Sequence, residues 1–279
     1  MKRFRSALQK FIEENKYLTN DNVLGIVVYG SSTTGFFHDL SDIDVHIIMN
    51  NTVKEFIRGA VMIDGFKIEY FEKPLYDLYE SAENDFYMQK NALVPIIGYG
   101  EILFDRYGYI EKLQNYVLEI YKNPLPPLEL NDAKEMAVII GNRLSKLKIM
   151  AKVRRFDFDY QYYLLIEKIR KFYSRLCGCP DIPVTKAYKI YTDDDYREAF
   201  CHGKVPEEDF ITLYFEAIGY QGDIEEKLGY ATKLYEYTTR DLKINLNHYR
   251  IRIKSRNNPM NTNHPSFIVN EIKKVCFPL

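Results

Sequence analysis

The first hundred residues contain one helical pattern followed by several strand-like ones. Apolar residues recur at helical spacing over residues 4–18, which predicts a helix with one buried face. Val23 to Tyr29 is a continuous apolar run that ends at Gly30, and such a run predicts a buried strand. Residues 42–48 alternate between polar and apolar types, which predicts a strand with two distinct faces. The remaining predicted elements are a strand over 66–71, a helix over 76–90 and a short strand over 101–105.

A proline-rich segment separates this region from a helical one. Residues 123–127 are Asn-Pro-Leu-Pro-Pro, and closely spaced prolines exclude a helix interior. We therefore expect an α+β fold, with a mixed-sheet domain over residues 1–123 and an α-helical bundle domain over residues 124–279. The helices of the second region are predicted over 131–153, 158–176, 193–201, 206–218 and 223–245.

The charge changes sign at the same boundary. Residues 1–123 hold 13 Lys and Arg against 18 Asp and Glu, a formal −5, and the rest of the 279-residue chain holds 25 against 21, so the total is −1. A charge near zero argues against nucleic-acid binding through bulk positive charge. The N-terminus lacks the apolar core of a secretory signal, and no apolar run is long enough to span a bilayer, so we expect a cytoplasmic protein without membrane contact.

The four cysteines are too few for a disulfide framework. Cys177 and Cys179 are two residues apart, which does not fit a zinc site, and Cys201 beside His202 is far along the chain. Buried free thiols are therefore the expected state of these residues.

The stretch from Gly30 to Asp44 contains the candidate chemistry. A glycine at the end of a strand lets backbone amides and the Ser31 hydroxyl approach a ligand closely, and such turns suit phosphate oxygens. Ten residues separate Ser31 from Asp42, and the strand that follows places Asp42, Asp44 and His46 on one face. Two neighbouring carboxylates repel each other unless a cation lies between them, and Mg²⁺ binds carboxylates together with phosphate oxygens.

Gly30-Ser31, a spacer of about ten residues and Ser41-Asp42-Ile43-Asp44 together resemble the signature of the nucleotidyltransferase superfamily with the DNA polymerase β-like fold. Within it, the chain looks most like the aminoglycoside and lincosamide nucleotidyltransferases and their uncharacterised bacterial relatives. The resemblance covers residues 1–105, and the rest matches only in being helical. It implies that Gly30 and Ser31 bind phosphates and that Asp42 and Asp44 are metal ligands.

The same resemblance implies a third carboxylate on a later strand. Glu69 fits best, because its strand places Lys67, Glu69 and Phe71 on one face. Asp64 and Glu72 are the alternatives. Asp42, Asp44 and Glu69 are thus the predicted catalytic residues.

The activity that the resemblance implies is a Mg²⁺-dependent transfer of a nucleoside monophosphate from a nucleoside triphosphate, with ATP expected, to an acceptor hydroxyl. A small molecule such as an aminoglycoside-like antibiotic is the first expectation for the acceptor. An RNA end or a protein hydroxyl is an alternative, and a non-catalytic, antitoxin-like binding module on the same fold is another. The sequence does not define the acceptor or the oligomeric state.

Three further features have ordinary structural interpretations. His46 is expected to be a neighbour of the site rather than a ligand. Residues 193–195, three aspartates after Thr192, predict a helix start, where acids favour the helix dipole. The alternating basic and apolar residues 249–256 predict an edge strand or, as the alternative, a surface for an anionic partner.

Overall fold

A five-stranded mixed sheet forms the centre of the N-terminal region. The structure is a computed structural model that describes residues 2–38, 40–126 and 128–244. The strand order is β3-β4-β2-β1-β5; β2 and β4 run parallel, and the other neighbours are antiparallel. The strands are β1 Val23–Tyr29, β2 Ile43–Met49, β3 Ile57–Ile63, β4 Phe66–Pro74 and β5 Glu101–Asp105.

Helices cover both faces of this sheet. Helix α1 packs with Ile26 and Val28 on one face, and helices α3 and α4 pack with Leu24 and Val27 on the other. Because β1 is buried on both faces, its sequence is continuously apolar rather than alternating. The helices of this region are α1 Lys2–Glu14, the short α2 Ser31–Thr34, α3 Leu75–Tyr87 and α4 Tyr109–Tyr121, with a 3-10 turn at Tyr17–Thr19 and a π-helical turn at Val94–Gly98.

The C-terminal region is helical and has its own core. Its centre contains Arg170, whose guanidinium is fully buried, contacts Glu167 and donates to the Ile182 carbonyl at 2.7 Å. A buried charge is tolerated only when it is paired and hydrogen-bonded in this way. The helices are α5 Leu130–Lys152, α6 Phe158–Leu176, α7 Val184–Thr192, α8 Asp194–Ala199, α9 Glu208–Gly219 and α10 Ile224–Thr239.

Polar contacts join the helical region to the sheet region. Gln89 is buried, and its side-chain amide donates to the carbonyls of Pro126 at 2.7 Å and Arg175 at 3.0 Å. Asn91 donates to the Cys201 carbonyl at 2.7 Å. These contacts hold the C-terminal helices beside the sheet, so that residues of α7 and α8 lie near the loop that follows β1.

The elements predicted from the sequence are present, although the helices predicted over 4–18 and 223–245 end earlier, at Glu14 and Thr239. Helix α2, the π-helical turn and three further elements were not predicted. Strand β3 is an edge strand with mostly exposed residues, so it shows no alternation of burial. Helices α4 and α7 were also not predicted. Asp193, rather than Thr192, is the N-cap of α8, since its carboxylate accepts from the Tyr196 amide at 2.8 Å. The domain division at residue 123 stays a prediction.

Three other expectations concern a membrane-spanning helix, the cysteines and the basic segment. Over the residues with a described structure, no helix is both long enough and apolar enough to cross a bilayer. Cys177, Cys179 and Cys201 are free thiols, as expected, but the expected burial is wrong for Cys177 and Cys201, which are partly exposed; Cys179 is buried. The basic segment 249–256 lies outside the described residues.

Candidate active site

The parallel pairing of β2 with β4 brings the predicted acidic residues together. Asp44 on β2 lies directly opposite Glu69 on β4. Asp42 is one residue before β2, and Lys67 is two residues before Glu69, so these four side chains share one face of the strand pair. Asp42 and Asp44 are each 25 residues before Lys67 and Glu69, and the pairing of β2 with β4 gathers all four into one charged patch.

The Lys67 ammonium lies between two of the carboxylates. Its Nζ is 3.0 Å from Asp42 Oδ2 and 2.5 Å from Glu69 Oε1. Arg58 on β3 adds a weaker contact, with Nη2 at 3.7 Å from Glu69 Oε2. The hydrogen bonds from Lys67 to these carboxylates raise the pKa of its ammonium. The protein therefore supplies a cation at a position where the sequence pattern indicated a need for one.

Asp44 forms no such ion pair with any residue whose structure is described, and its charge is poorly compensated. Burial first, and then the charges of Glu69 and Asp42, raise the pKa of Asp44 from 3.8 to about 6. The positive charges of Lys186 and Lys67 act in the opposite direction. Asp44 thus holds a costly negative charge at neutral pH, which is a frequent property of functional carboxylates.

Gly30 allows the turn after β1 to lie against Asp44. Its φ of 75° is in a region that L residues rarely adopt, and a Cβ at this position would be 2.5 Å from Asp44 Oδ2. A side chain at residue 30 would therefore overlap the carboxylate. Helix α2 begins at the next residue, so backbone amides without helical partners are present at the same place.

Hydroxyl side chains follow Gly30, and they differ in their contacts. Ser32 Oγ donates to the Tyr29 carbonyl at 2.9 Å, and Thr33 Oγ1 donates to the Gly30 carbonyl at 3.1 Å. Among the residues with a described structure, the Ser31 hydroxyl has no hydrogen-bond partner. Of these hydroxyls, that of Ser31 is therefore the one available to a ligand.

The two alternative third carboxylates lie elsewhere. Asp64 is in the turn between β3 and β4 and forms an exposed ion pair with Lys10 at 3.0 Å. Glu72 accepts a hydrogen bond from the Tyr17 hydroxyl at 2.8 Å, on the side of the sheet that α1 covers. Of the three candidates, Glu69 is the one that the fold places beside Asp42 and Asp44.

His46 is a buried neighbour of this patch. Its ring stacks on Phe71 with centroids 5.3 Å apart and is 6% exposed. Burial and the nearby charge of Lys73 lower the pKa of His46 to about 4. A neutral imidazole packed between aromatic rings is consistent with a structural role.

The helical region contributes residues that the sequence analysis missed. Phe36, in the loop after α2, packs edge-on against Tyr196 of α8, with ring centroids 5.1 Å apart, and also contacts Phe200. Lys186 of α7 lies over the Phe200 ring, with Nζ 4.9 Å from the ring centroid. Its positive charge acts to lower the pKa of Asp44. This lysine is more than 140 residues from the aspartates, and no local pattern marks it.

The donor atoms suit a hard divalent cation, because carboxylate oxygens are the ligands that Mg²⁺ prefers. The poorly compensated charge of Asp44, next to a turn whose glycine has no side chain, also fits a cation there. Asp42 and Asp44 are the residues that would hold it. In the part of the chain that is described, no three His, Cys, Asp or Glu side chains are gathered around one point as ligands; the Lys67 ammonium lies between Asp42 and Glu69 instead.

Comparisons with known proteins bear on the sheet region. Residues 8–123 match the family model described as a nucleotidyltransferase domain. The N-terminal region is therefore similar to nucleotidyltransferase domains, and the matched residues include all the predicted site residues. Domains of this family generally use a nucleoside triphosphate and a divalent metal ion.

Among solved structures, the chain is similar to a nucleotidyltransferase-like protein from Exiguobacterium sibiricum. The identity is 13% and the TM-score 0.47, over 85% of this chain and 74% of that chain. No curated protein matches the sequence.

Proposed function

We propose that the protein is a Mg²⁺-dependent nucleotidyltransferase that moves a nucleoside monophosphate from a nucleoside triphosphate, ATP first, to an acceptor hydroxyl. The observation that carries the proposal is the placement of Asp44 opposite Glu69, with the Gly30 turn against Asp44. This arrangement puts acidic oxygens and a phosphate-binding turn within one small site.

Each residue has a distinct role in this proposal. The turn at Gly30 and the free hydroxyl of Ser31 bind the β- and γ-phosphates, as amide-rich turns do. Asp42 and Asp44 would hold Mg²⁺, which supplies charge neutralisation for the triphosphate when bound. Glu69 accepts the proton of the acceptor hydroxyl. The acceptor oxygen then attacks the α-phosphorus, and pyrophosphate leaves in line with it.

A small hydroxylated molecule of the aminoglycoside or lincosamide type is the first acceptor that we propose. The support is electrostatic, because the sheet region has a formal charge of −5. A site in an acidic region raises the local concentration of a cationic acceptor.

An RNA acceptor is the second candidate, favoured by the basic surface of α5. Two hollows flank this helix, of about 520 and 380 Å³. Binding there would involve phosphates, so activity on RNA would fall steeply with salt. The basic residues that line the hollows are Arg143, Lys146, Lys148, Lys152, Arg155 and Lys233.

The test is a transfer assay with ATP labelled at the α-phosphate and Mg²⁺ present. Separate reactions offer an aminoglycoside and lincosamide panel, bulk RNA, and cell protein. Label is expected on one acceptor class, and neither Asp42→Asn nor Asp44→Asn protein should transfer it. Asp21→Asn is the matched control, because the Asp21 side chain is 99% exposed and outside the site.

Two outcomes would contradict the proposal. An Asp44→Asn protein with wild-type transfer would exclude the assigned site. A wild-type protein that binds no nucleotide would favour the non-catalytic binding module instead. Pyrophosphate release without a labelled acceptor would support the chemistry and contradict the proposed acceptors.

A further inference from the structure

Lys67 occupies the space between two carboxylates of the candidate site. Its ammonium contacts both Asp42 and Glu69, at 3.0 and 2.5 Å. All three side chains are partly exposed, at 44% for Lys67, 36% for Asp42 and 22% for Glu69. A dication that took an oxygen of Asp42 would therefore meet an ammonium already bonded to the same carboxylate.

We propose that Lys67 is a built-in competitor for the metal: its ammonium must leave Asp42 and Glu69 before a divalent cation binds, and it thereby sets the metal affinity. This inference rests on the proposed function, since it takes Asp42 as a metal ligand. It assigns to Lys67 a positioning role on the site's carboxylates, not a contact with the reacting atoms.

Displacement of Lys67 is physically feasible. Its side chain is nearly half exposed, and the ammonium lies at the end of a flexible four-carbon stem. The ammonium can therefore move into solvent without opening the core. The backbone of β4 is fixed by pairing with both β2 and β3. Only the side chain therefore needs to move.

The size of the effect follows from the ion pairs that the metal must break. Each pair between partly exposed groups changes an equilibrium constant by a few-fold, so two of them amount to about tenfold, or ~1.4 kcal/mol. Removing the ammonium should thus tighten metal binding. A lysine with a merely structural role would leave the affinity unchanged or weaken it.

The experiment measures Mn²⁺ binding to the nucleotide-free full chain, by calorimetry or by the spin-resonance signal of free Mn²⁺. Lys67→Met is expected to bind about tenfold tighter than wild type. Lys67→Arg keeps the charge and should stay within about threefold of wild type. Lys10→Met is the matched control: Lys10 forms a 3.0 Å ion pair with Asp64, away from the site and with both side chains about half exposed, so its loss should not change the affinity.

Binding must also depend on Asp44, so Asp44→Asn serves as the blank, and circular dichroism checks that each variant is folded. Unchanged or weaker binding by folded Lys67→Met, or equal tightening in Lys10→Met, would overturn the inference. If Lys67→Met tightens binding but wild type transfers no nucleotidyl group, the inference stands and the proposed function fails. If wild type transfers label and Lys67→Met does not bind Mn²⁺ more tightly, the proposed function stands and the inference fails. Absence of Mn²⁺ binding in both proteins would overturn the inference, and the transfer assay alone would then decide the proposed function.

Discussion

Asp44→Asn should abolish nucleotidyl transfer and at the same time stabilise the metal-free protein. The substitution keeps the shape of the side chain and removes its charge. Burial and the like charges of Glu69 and Asp42 raise the pKa of Asp44 from 3.8 to about 6, so ionised Asp44 costs up to ~3 kcal/mol at pH 7.5. Asparagine avoids this cost, and we expect a gain of about 1–3 kcal/mol in the free energy of unfolding.

The sign of this effect depends on pH. A carboxyl whose pKa is raised on folding stabilises the protein while it is protonated, and that stability is lost as the pH rises from 3.8 through about 6. The advantage of Asp44→Asn should therefore be largest above pH 6 and shrink as the pH falls towards 4. It should also shrink when Mg²⁺ is added, because the cation compensates the same charge.

Urea unfolding with a metal chelator, at pH 7.5 and pH 4.5, measures this difference. Asp21→Asn is the control, since Asp21 is 99% exposed and its substitution should change stability by no more than ~0.5 kcal/mol. An Asp44→Asn protein that is less stable than wild type at pH 7.5 without metal would refute the reasoning, even if it is inactive.

Two further predictions concern a turn and a buried histidine. Gly30→Ala should abolish transfer and lower the free energy of unfolding by ~2 kcal/mol or more, because its Cβ would be 2.5 Å from Asp44 Oδ2. Gly35 has a similar φ of 84° with nothing within 4 Å of a Cβ. Gly35→Ala should therefore lose only the ~1–2 kcal/mol of backbone strain and keep activity. Equal costs for the two variants would contradict this. Burial lowers the pKa of His202 to about 4, so stability should fall by ~1.4 kcal/mol per unit as the pH drops from 6.5 to 4. Urea unfolding against pH should give a flatter profile for His202→Gln; an unchanged profile would exclude this histidine as the cause.

The sequence was sufficient to predict β1, β2 and β4, the strands that carry or precede the candidate residues. Asp42 and Asp44 belong to an alternating strand pattern, and Gly30 ends a continuous apolar run, so local periodicity located all three. Glu69 was selected over Asp64 and Glu72 from the side-chain period of a strand. The side chains of β4 keep this alternation because the strand is paired with β2 on one side and with β3 on the other.

The electrostatics of the site could not be predicted in the same way. The role of Lys67 depends on the register of β2 against β4, which places it across from Asp42. The effect of Lys186 on Asp44 depends on the packing of α7 and α8 near Phe36. Register and docking are set by contacts distant in sequence, whereas periodicity reports only which face of its own element a residue occupies.

Two features of the candidate site, the charge of Asp44 and the ion pairs of Lys67, act against each other in metal binding. The poorly compensated charge of Asp44 favours any cation that approaches, because binding removes an electrostatic cost present in the folded protein. The ion pairs of Lys67 with Asp42 and Glu69 oppose the same event, because they must be broken first. Mg²⁺ retains most of its water until substrate phosphates complete its ligand set. A site balanced in this way would hold the ion weakly alone and more tightly with a triphosphate, so that metal and nucleotide are expected to bind together rather than in sequence.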